Sequence, residues 1–132
     1  MEYKIHSGRF FRHLLSIPFI WIILIPLIIL DVSIELYKQT CFRLYSIKLI
    51  KRRNYIRIDR HKLKYLNWYE KINCAYCSYA NGLLNYAVAI AGATENYWCG
   101  IKHKKYNGFK EPKHHKNFLN YDDKKSFERK FG

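Results

Sequence analysis

The chain has 132 residues, and 24 Lys and Arg against 10 Asp and Glu give it a formal net charge of +14. Because 49% of the residues are apolar and 17% are aromatic, a wholly disordered chain is excluded. With 4 Cys and 6 Gly, the composition also excludes a cysteine-dense secreted scaffold and a collagen-like chain.

The first predicted element is an apolar helix near the N-terminus. Residues 14–30 form a stretch of 17 residues without a charged side chain. As an α-helix, such a stretch covers about 25 Å of the ~30 Å hydrocarbon core of a bilayer. The sequence therefore predicts an uncleaved transmembrane anchor, since no small-residue cleavage site follows. Pro18 and Pro26 each remove a backbone donor, so a re-entrant or in-plane segment is the alternative.

Basic residues on either side of the apolar stretch predict an orientation. Three Lys or Arg precede it, and six lie in residues 31–53. The excess favours a cytoplasmic C-terminal part and a short external N-terminus. Residues 37–54 mix basic and apolar side chains, which is typical of a segment that contacts anionic headgroups. A lipid bilayer with anionic headgroups is therefore the first predicted partner.

The fold class is predicted to be mainly α, with an N-terminal membrane anchor helix followed by a small helical domain with little or no sheet. Four segments are expected in chain order: an N-terminal tail and anchor in residues 1–36, a basic interfacial segment in 37–54, a small helical Cys/His-containing domain in 55–105, and a basic C-terminal tail in 106–132.

Local patterns within the helical domain predict its elements. Residues 55–58 alternate like a short strand. Asp59 is predicted to cap a following helix whose charged face carries Glu70. Residues 78–98 are apolar with small residues among them, which predicts a core helix, with a membrane-embedded segment as the alternative. The basic tail beyond this helix is predicted to be solvated, with docking through its Phe and Tyr side chains as the alternative.

Three of the four cysteines frame the predicted core helix. The spacing is C-x2-C, a gap of 21 residues, and then C-x3-H. Cys74 and Cys77 can converge across a tight turn, and Cys99 and His103 share one face of a helical turn. These four residues are the predicted metal ligands, because a Cys3His set suits tetrahedral Zn²⁺ and its thiolates also accept iron.

A site shared by all four residues requires a break in the intervening helix. A straight helix of about 20 residues would hold the two half-sites about 30 Å apart. Asn81-Gly82 and Ala91-Gly92 are the positions at which the segment is expected to turn into a helical hairpin.

Thiol–disulfide exchange is an alternative use of Cys74 and Cys77. A C-x2-C pair at a helix N-terminus, with Lys71 nearby, favours the thiolate. No βαβ pattern surrounds the pair, which speaks against a thioredoxin-like fold. A structural disulfide and ordinary buried thiols stay open, and Ser78 stands where haem attachment requires His. Cys41 is predicted to be a free buried thiol.

A longer pattern resembles a family of small, functionally uncharacterised bacterial membrane proteins. It is carried by residues 59–82, which include NCAYCSYANG, and by TENYWCGIKH at residues 94–103. The family pattern runs DRxxLxYLNxxEKxNCxYCxYxNG to TExYWCPIKH, so Gly100 replaces a proline. The resemblance covers about residues 10–105 and implies a bacterial inner (plasma) membrane protein, without implying an activity.

The sequence thus predicts a small integral membrane protein with a Cys3His metal site for Zn²⁺ or Fe, acting as a structural or accessory component rather than a catalyst. The alternatives are a membrane-tethered thiol–disulfide oxidoreductase and a peripheral basic module that binds anionic lipid. A larger membrane protein complex is a further candidate partner. Nucleic acid is not expected, because only three of the 24 basic residues precede the apolar stretch, and this asymmetry is explained by membrane topology. No carboxylate pair or phosphate loop is visible, and His114 and His115 are predicted to be solvated.

Overall fold

The chain is mainly helical and forms no β-strand or sheet, as the predicted fold class requires. A computed structural model describes all residues, Met1–Gly132. Its α-helices are α1 (Phe10–Ile22), α2 (Leu24–Tyr37), α3 (Trp68–Trp98) and α4 (Lys124–Phe131). One isolated parallel bridge joins Ile101 to Leu119. The prediction of a mainly α protein with an N-terminal apolar helix is confirmed.

Contacts divide the chain into two units, Met1–Tyr86 and Ala87–Gly132, which we call the N-terminal and C-terminal units. Helix α3 contributes residues 68–86 to the first and residues 87–98 to the second. The four-segment organisation expected from the sequence stays a prediction.

The N-terminal unit begins with one long apolar helix. Helices α1 and α2 and the π-helical turn Lys38–Phe42 belong to a 36-residue helix, Ser7–Phe42, which we call the long helix. It is long and apolar enough to cross a membrane, and no other helix of the chain is. Its α-helical pattern is interrupted at Ile23, because Pro26 has no N–H to donate to the preceding turn.

The long helix is followed by a sharp reversal at Ser46. This residue has a φ of 58°, in the left-handed region. The Ser46 amide donates to the Arg43 carbonyl at 3.3 Å, and the Ile47 amide donates to the Phe42 carbonyl at 2.9 Å. These two bonds form a Schellman motif, which satisfies the last carbonyls of the helix and turns the chain back.

Residues 47–67, which we call the return segment, run back beside the long helix. Its Ile50 carbonyl accepts a hydrogen bond from Lys38, and its Arg52 donates to Asp31, which lies earlier in the helix. Its Arg60 lines the same cavity as Phe10 and His13 of α1. The strand predicted for residues 55–58 is absent. The segment packs through side chains and single hydrogen bonds, and no second strand pairs with it.

Helix α3 begins at Trp68 and not after Asp59, where the sequence pattern placed a helix. Asp59 instead precedes a short 3₁₀-helix, Arg60–Lys62, and its side chain makes no capping bond. Glu70 accepts a hydrogen bond of 2.9 Å from the Asn67 amide, which is one half of a capping box. The capping chemistry of the Asn67 turn therefore sets the start of the helix.

The return segment approaches α3 most closely at Gly82. A Cβ atom on Gly82 would lie 2.7 Å from the Tyr55 carbonyl oxygen and 2.9 Å from Ile56 Cα. One turn further along α3, the Tyr86 ring lies 5.9 Å from the Tyr55 ring. The backbone of the return segment reaches the helix only because residue 82 has no side chain.

In the C-terminal unit, the residues that follow α3 are hydrogen-bonded to the tail. The Leu119 amide donates to the Gly100 carbonyl, and the Lys102 amide donates to the Leu119 carbonyl, both at 2.8 Å. His115 and Phe118 are buried. The expectation of a solvated tail is therefore wrong for His115 and Phe118, whereas Tyr121, Phe127 and Phe131 are exposed.

We expect Gly82→Ala to destabilise the protein by about 1–3 kcal/mol, because the new methyl group overpacks the contact with the return segment. In a helix without this contact the same substitution would stabilise by about 1 kcal/mol, so the sign of the change is diagnostic. Denaturation of the detergent-solubilised protein, followed by circular dichroism, measures it. Gly8→Ala is the control, since a Cβ atom there meets nothing within 4 Å. A Gly82→Ala protein as stable as the wild type would contradict the packing.

Candidate functional site

Three groups that commonly bind metals lie together in the C-terminal unit. One donor atom from each of Glu95, His103 and His115 lies within 4.8 Å of the other two. Glu95 is in the last turn of α3, His103 follows that helix, and His115 lies in the 3₁₀-helix Lys113–Asn117. His115 is buried, Glu95 is half-buried and His103 is exposed. This Glu/His/His group can hold a metal ion.

The Glu95 carboxylate organises the group. Its Oε2 lies 2.6 Å from His114 Nε2, and both of its oxygens lie 3.0 Å from His115 Nε2. An ionised carboxylate only accepts hydrogen bonds, so each imidazole is assigned its N–H on Nε2. The bond from His114, and then that from His115, hold the pKa of Glu95 below its usual range, although partial burial opposes this.

Packing holds both imidazoles against α3. Gly92 lies one turn before Glu95, and a Cβ atom there would lie 3.0 Å from His114 Cγ. The His115 ring stacks on Phe118 with centroids 4.6 Å apart and an interplanar angle of 24°. The orientation of the histidines is therefore imposed by contacts as well as by the carboxylate.

The geometry of this group fits a divalent cation. Ligand atoms at about 2.0–2.1 Å from a tetrahedral Zn²⁺ lie about 3.3 Å from one another. Glu95 Oε1 and His115 Nε2 lie 3.0 Å apart, and the proton of their hydrogen bond would leave Nε2 when that atom ligates a cation. Imidazole and carboxylate donors suit Zn²⁺ and Fe²⁺.

The four ligands predicted from the sequence are distributed over both units. Cys74 and Cys77 lie within α3 in the N-terminal unit, whereas Cys99 and His103 follow that helix in the C-terminal unit. All of the cysteines are free thiols, including the half-buried Cys41. Only His103 belongs to the Glu/His/His group, and the Cys3His set stays a prediction.

The helical hairpin that the Cys3His prediction required is not formed. Helix α3 is continuous from Trp68 to Trp98 and passes both Asn81-Gly82 and Ala91-Gly92 without interruption. In this sequence each glycine serves a close contact and not a chain reversal.

Cys74 and Cys77 line a cavity of about 850 Å³ between α1 and α3, together with aromatic residues that include Trp21 and Tyr76. They are the seventh and tenth residues of α3. The dipole of a helix acts within its first turn. The thiols therefore lack the helix N-terminal position that the redox alternative assumed, and that alternative stays a prediction.

A second set of polar groups lies in the N-terminal unit, centred on Asp31 of the long helix. Arg52 donates to its two carboxylate oxygens from Nε at 3.0 Å and from Nη2 at 2.6 Å. Tyr79 of α3 donates its hydroxyl to the same carboxylate at 2.8 Å. Asp31 thus fastens both the return segment and α3 to the long helix.

Glu35 makes equivalent contacts one turn further along. Tyr86 donates its hydroxyl to Glu35 Oε1 at 2.6 Å, and Lys38 donates its ammonium at 3.1 Å. Lys38 and Tyr86 are both buried. Since Tyr86 lies two turns after Tyr79, both tyrosines present their hydroxyls from one face of α3.

Glu70 is buried, which corrects the prediction that it lies on the charged face of a helix beginning after Asp59. Its carboxylate pairs with the Lys4 ammonium, and only 1% of its surface is exposed. The Lys4 ammonium and then the Asn67 amide hold the pKa of Glu70 below its usual range. The start of α3 is thereby tied to the residues that precede the long helix.

Comparison of the chain with protein-family models, with curated proteins and with solved structures finds no match. The resemblance carried by residues 59–82 and 94–103 stays a prediction.

We expect Tyr86→Phe to lower the free energy of unfolding by about 1–3 kcal/mol, because Glu35 loses a charge-assisted hydrogen bond where water does not replace it. Chemical denaturation measures the change. Tyr65→Phe is the matched control, since Tyr65 is 79% exposed and its hydroxyl faces solvent. Equal effects of the two substitutions would contradict the role assigned to the Tyr86 hydroxyl.

The lowered pKa of Glu95 predicts an acid-sensitive C-terminal unit. The ionised carboxylate contributes stability above the ordinary glutamate pKa of 4.5, and this contribution is lost as the pH falls through the lower value of the folded state. We expect the melting temperature to fall below that pH and Glu95→Gln to flatten the fall. Glu128→Gln is the control, since that side chain is 61% exposed. An unchanged pH profile in Glu95→Gln would contradict this assignment.

Proposed function

We propose that this protein is a small membrane-anchored metal-binding component in which Glu95, His103 and His115 hold one divalent cation of the Zn²⁺ or Fe²⁺ type. It acts as a structural or accessory subunit and not as a catalyst. The observation that carries the proposal is the convergence of the three donor atoms within 4.8 Å.

The cation would supply stability that the C-terminal unit cannot obtain from its core. Units of this size bury little apolar surface and commonly rely on metals or disulfides. Here the buried apolar side chains are Ile90 and Phe118, and the cysteines are free. A metal ion would join α3, the residues after it and the 3₁₀-helix Lys113–Asn117, because each contributes one ligand.

The proposed location is the bacterial inner (plasma) membrane, with the C-terminal part on the cytoplasmic side. The long helix would provide the attachment. The surplus of Lys and Arg after the apolar stretch favours the cytoplasmic side, where anionic headgroups are the lipid partner. A larger membrane protein complex remains the proposed protein partner of an accessory subunit.

Metal content of the purified full-length protein tests the proposal. After equilibrium dialysis against Zn²⁺, we expect one ion per chain by elemental analysis. Replacement of a ligand in His115→Ala or Glu95→Gln should weaken binding by at least about 10-fold, since loss of a group that only orients a ligand already costs about 10–100-fold. The spectrum of a Co²⁺-substituted sample would report the ligand set independently, because tetrahedral Co²⁺ has intense visible bands and thiolate ligands add charge-transfer absorption in the near ultraviolet.

Cys74→Ser combined with Cys77→Ser is the matched control, and Cys99→Ser is a second. These variants should bind the ion as the wild type does. Loss of binding in the cysteine variants, with binding retained in His115→Ala, would favour the Cys3His site instead. Absence of bound metal in the wild-type protein would overturn both sites.

A further inference from the structure

The long helix presents a continuous apolar stripe along one side. Six large apolar side chains that recur at helical spacing are each more than 60% exposed: Phe11, Leu15, Ile22, Ile25, Ile29 and Leu36. Residues three or four apart, and their multiples, lie on the same side of a helix. The stripe therefore extends for about 38 Å.

The opposite side of the same helix faces protein. Leu27, Ile34 and Lys38 are buried there, and Asp31 and Glu35 make their hydrogen bonds to the return segment and α3. From Leu27 to Lys38 the helix therefore has one apolar side and one side whose polar groups are satisfied by the rest of the N-terminal unit, whereas no residue of α1 is buried.

The return segment contacts the long helix at Lys38 and Asp31, and its Arg60 lines the same cavity as Phe10 and His13. It is neither α-helix nor strand, and the amides of Arg57, Ile58 and Asp59 make no backbone hydrogen bond. Its basic side chains include the exposed Lys51, Arg53, Arg57 and Arg60.

A membrane-spanning placement of the long helix would carry the return segment into the hydrocarbon core with it. Non-helical backbone exposed to lipid does not occur at that depth, because its amides have no partner there. Exposed Lys and Arg side chains are also costly at that depth. The unpaired amides and the cations of the return segment thus argue against a helix that crosses the bilayer.

We propose that the long helix lies in the plane of one membrane leaflet, with its apolar stripe among the acyl chains and the return segment among anionic headgroups. The occupant of the apolar stripe is lipid, because the cations of the return segment lie along the other side of the same helix and match the charge of the headgroups. The inference rests on the proposed membrane attachment and is independent of the metal site.

Both ends of the long helix then lie on the same side of the membrane. Single cysteines introduced by Ile5→Cys and Leu44→Cys, in a protein whose native cysteines are serine, test this, since both positions are at least 75% exposed. In right-side-out and inverted bacterial membrane vesicles, a membrane-impermeant thiol reagent should label both cysteines in the inverted vesicles alone. Labelling of the two positions in opposite kinds of vesicle would overturn the proposal.

Depth along the helix provides a second, independent measurement. Nitroxide labels at Leu15→Cys, Ile22→Cys and Ile29→Cys should report the same depth from oxygen and nickel-chelate accessibility. A label at Arg57→Cys should be accessible to the water-soluble chelate. A profile in which Ile22→Cys is deepest and its neighbours shallower, with Arg57→Cys inaccessible to the chelate, would establish a spanning helix and overturn the proposal. Release of the wild-type protein from membranes by carbonate would overturn the membrane attachment itself.

Discussion

Two carboxylates on an otherwise apolar helix impose the constraint around which the N-terminal unit is built. Asp31 and Glu35 lie one turn apart, and a carboxylate packed against protein without partners costs several kcal/mol. Arg52, Tyr79 and Tyr86 provide those partners from two different elements. The reversal after the long helix and the register of α3 both serve to bring these donors to the same side.

The features that could be predicted from the sequence depend only on residues close together in the chain. The apolar helix around residues 14–30 and the helical character of residues 78–98 follow from composition and spacing over one or two dozen positions. The partners of Asp31 could not be predicted, since Tyr79 is 48 residues away and no short pattern links them. The burial of Glu70 was missed for the same reason, because its partner Lys4 precedes the long helix.

The candidate metal site differs from the one that the cysteine spacing predicts, because its ligands form no recognisable sequence motif. The spacing of the cysteines predicts a Cys3His set. That set requires a helical hairpin, and α3 is continuous. Glu95 and His115 are 20 residues apart, and the histidine lies in a lysine-rich stretch whose composition indicates a solvated tail. The sequence nevertheless contains one indication of this site. Gly92 and Glu95 lie one helical turn apart, so the glycine leaves space for the neighbouring imidazoles and the glutamate provides a hydrogen-bond acceptor for them.

The order of synthesis gives the contacts of Glu35 a further consequence. Tyr86 lies 51 residues after Glu35, so at about 5–20 residues per second it leaves the ribosome roughly 3–10 s later. During that interval the nascent long helix has neither its return segment nor its α3 partners, and all of its sides are open. A membrane surface within reach of the ribosome would shelter the apolar stripe in that interval.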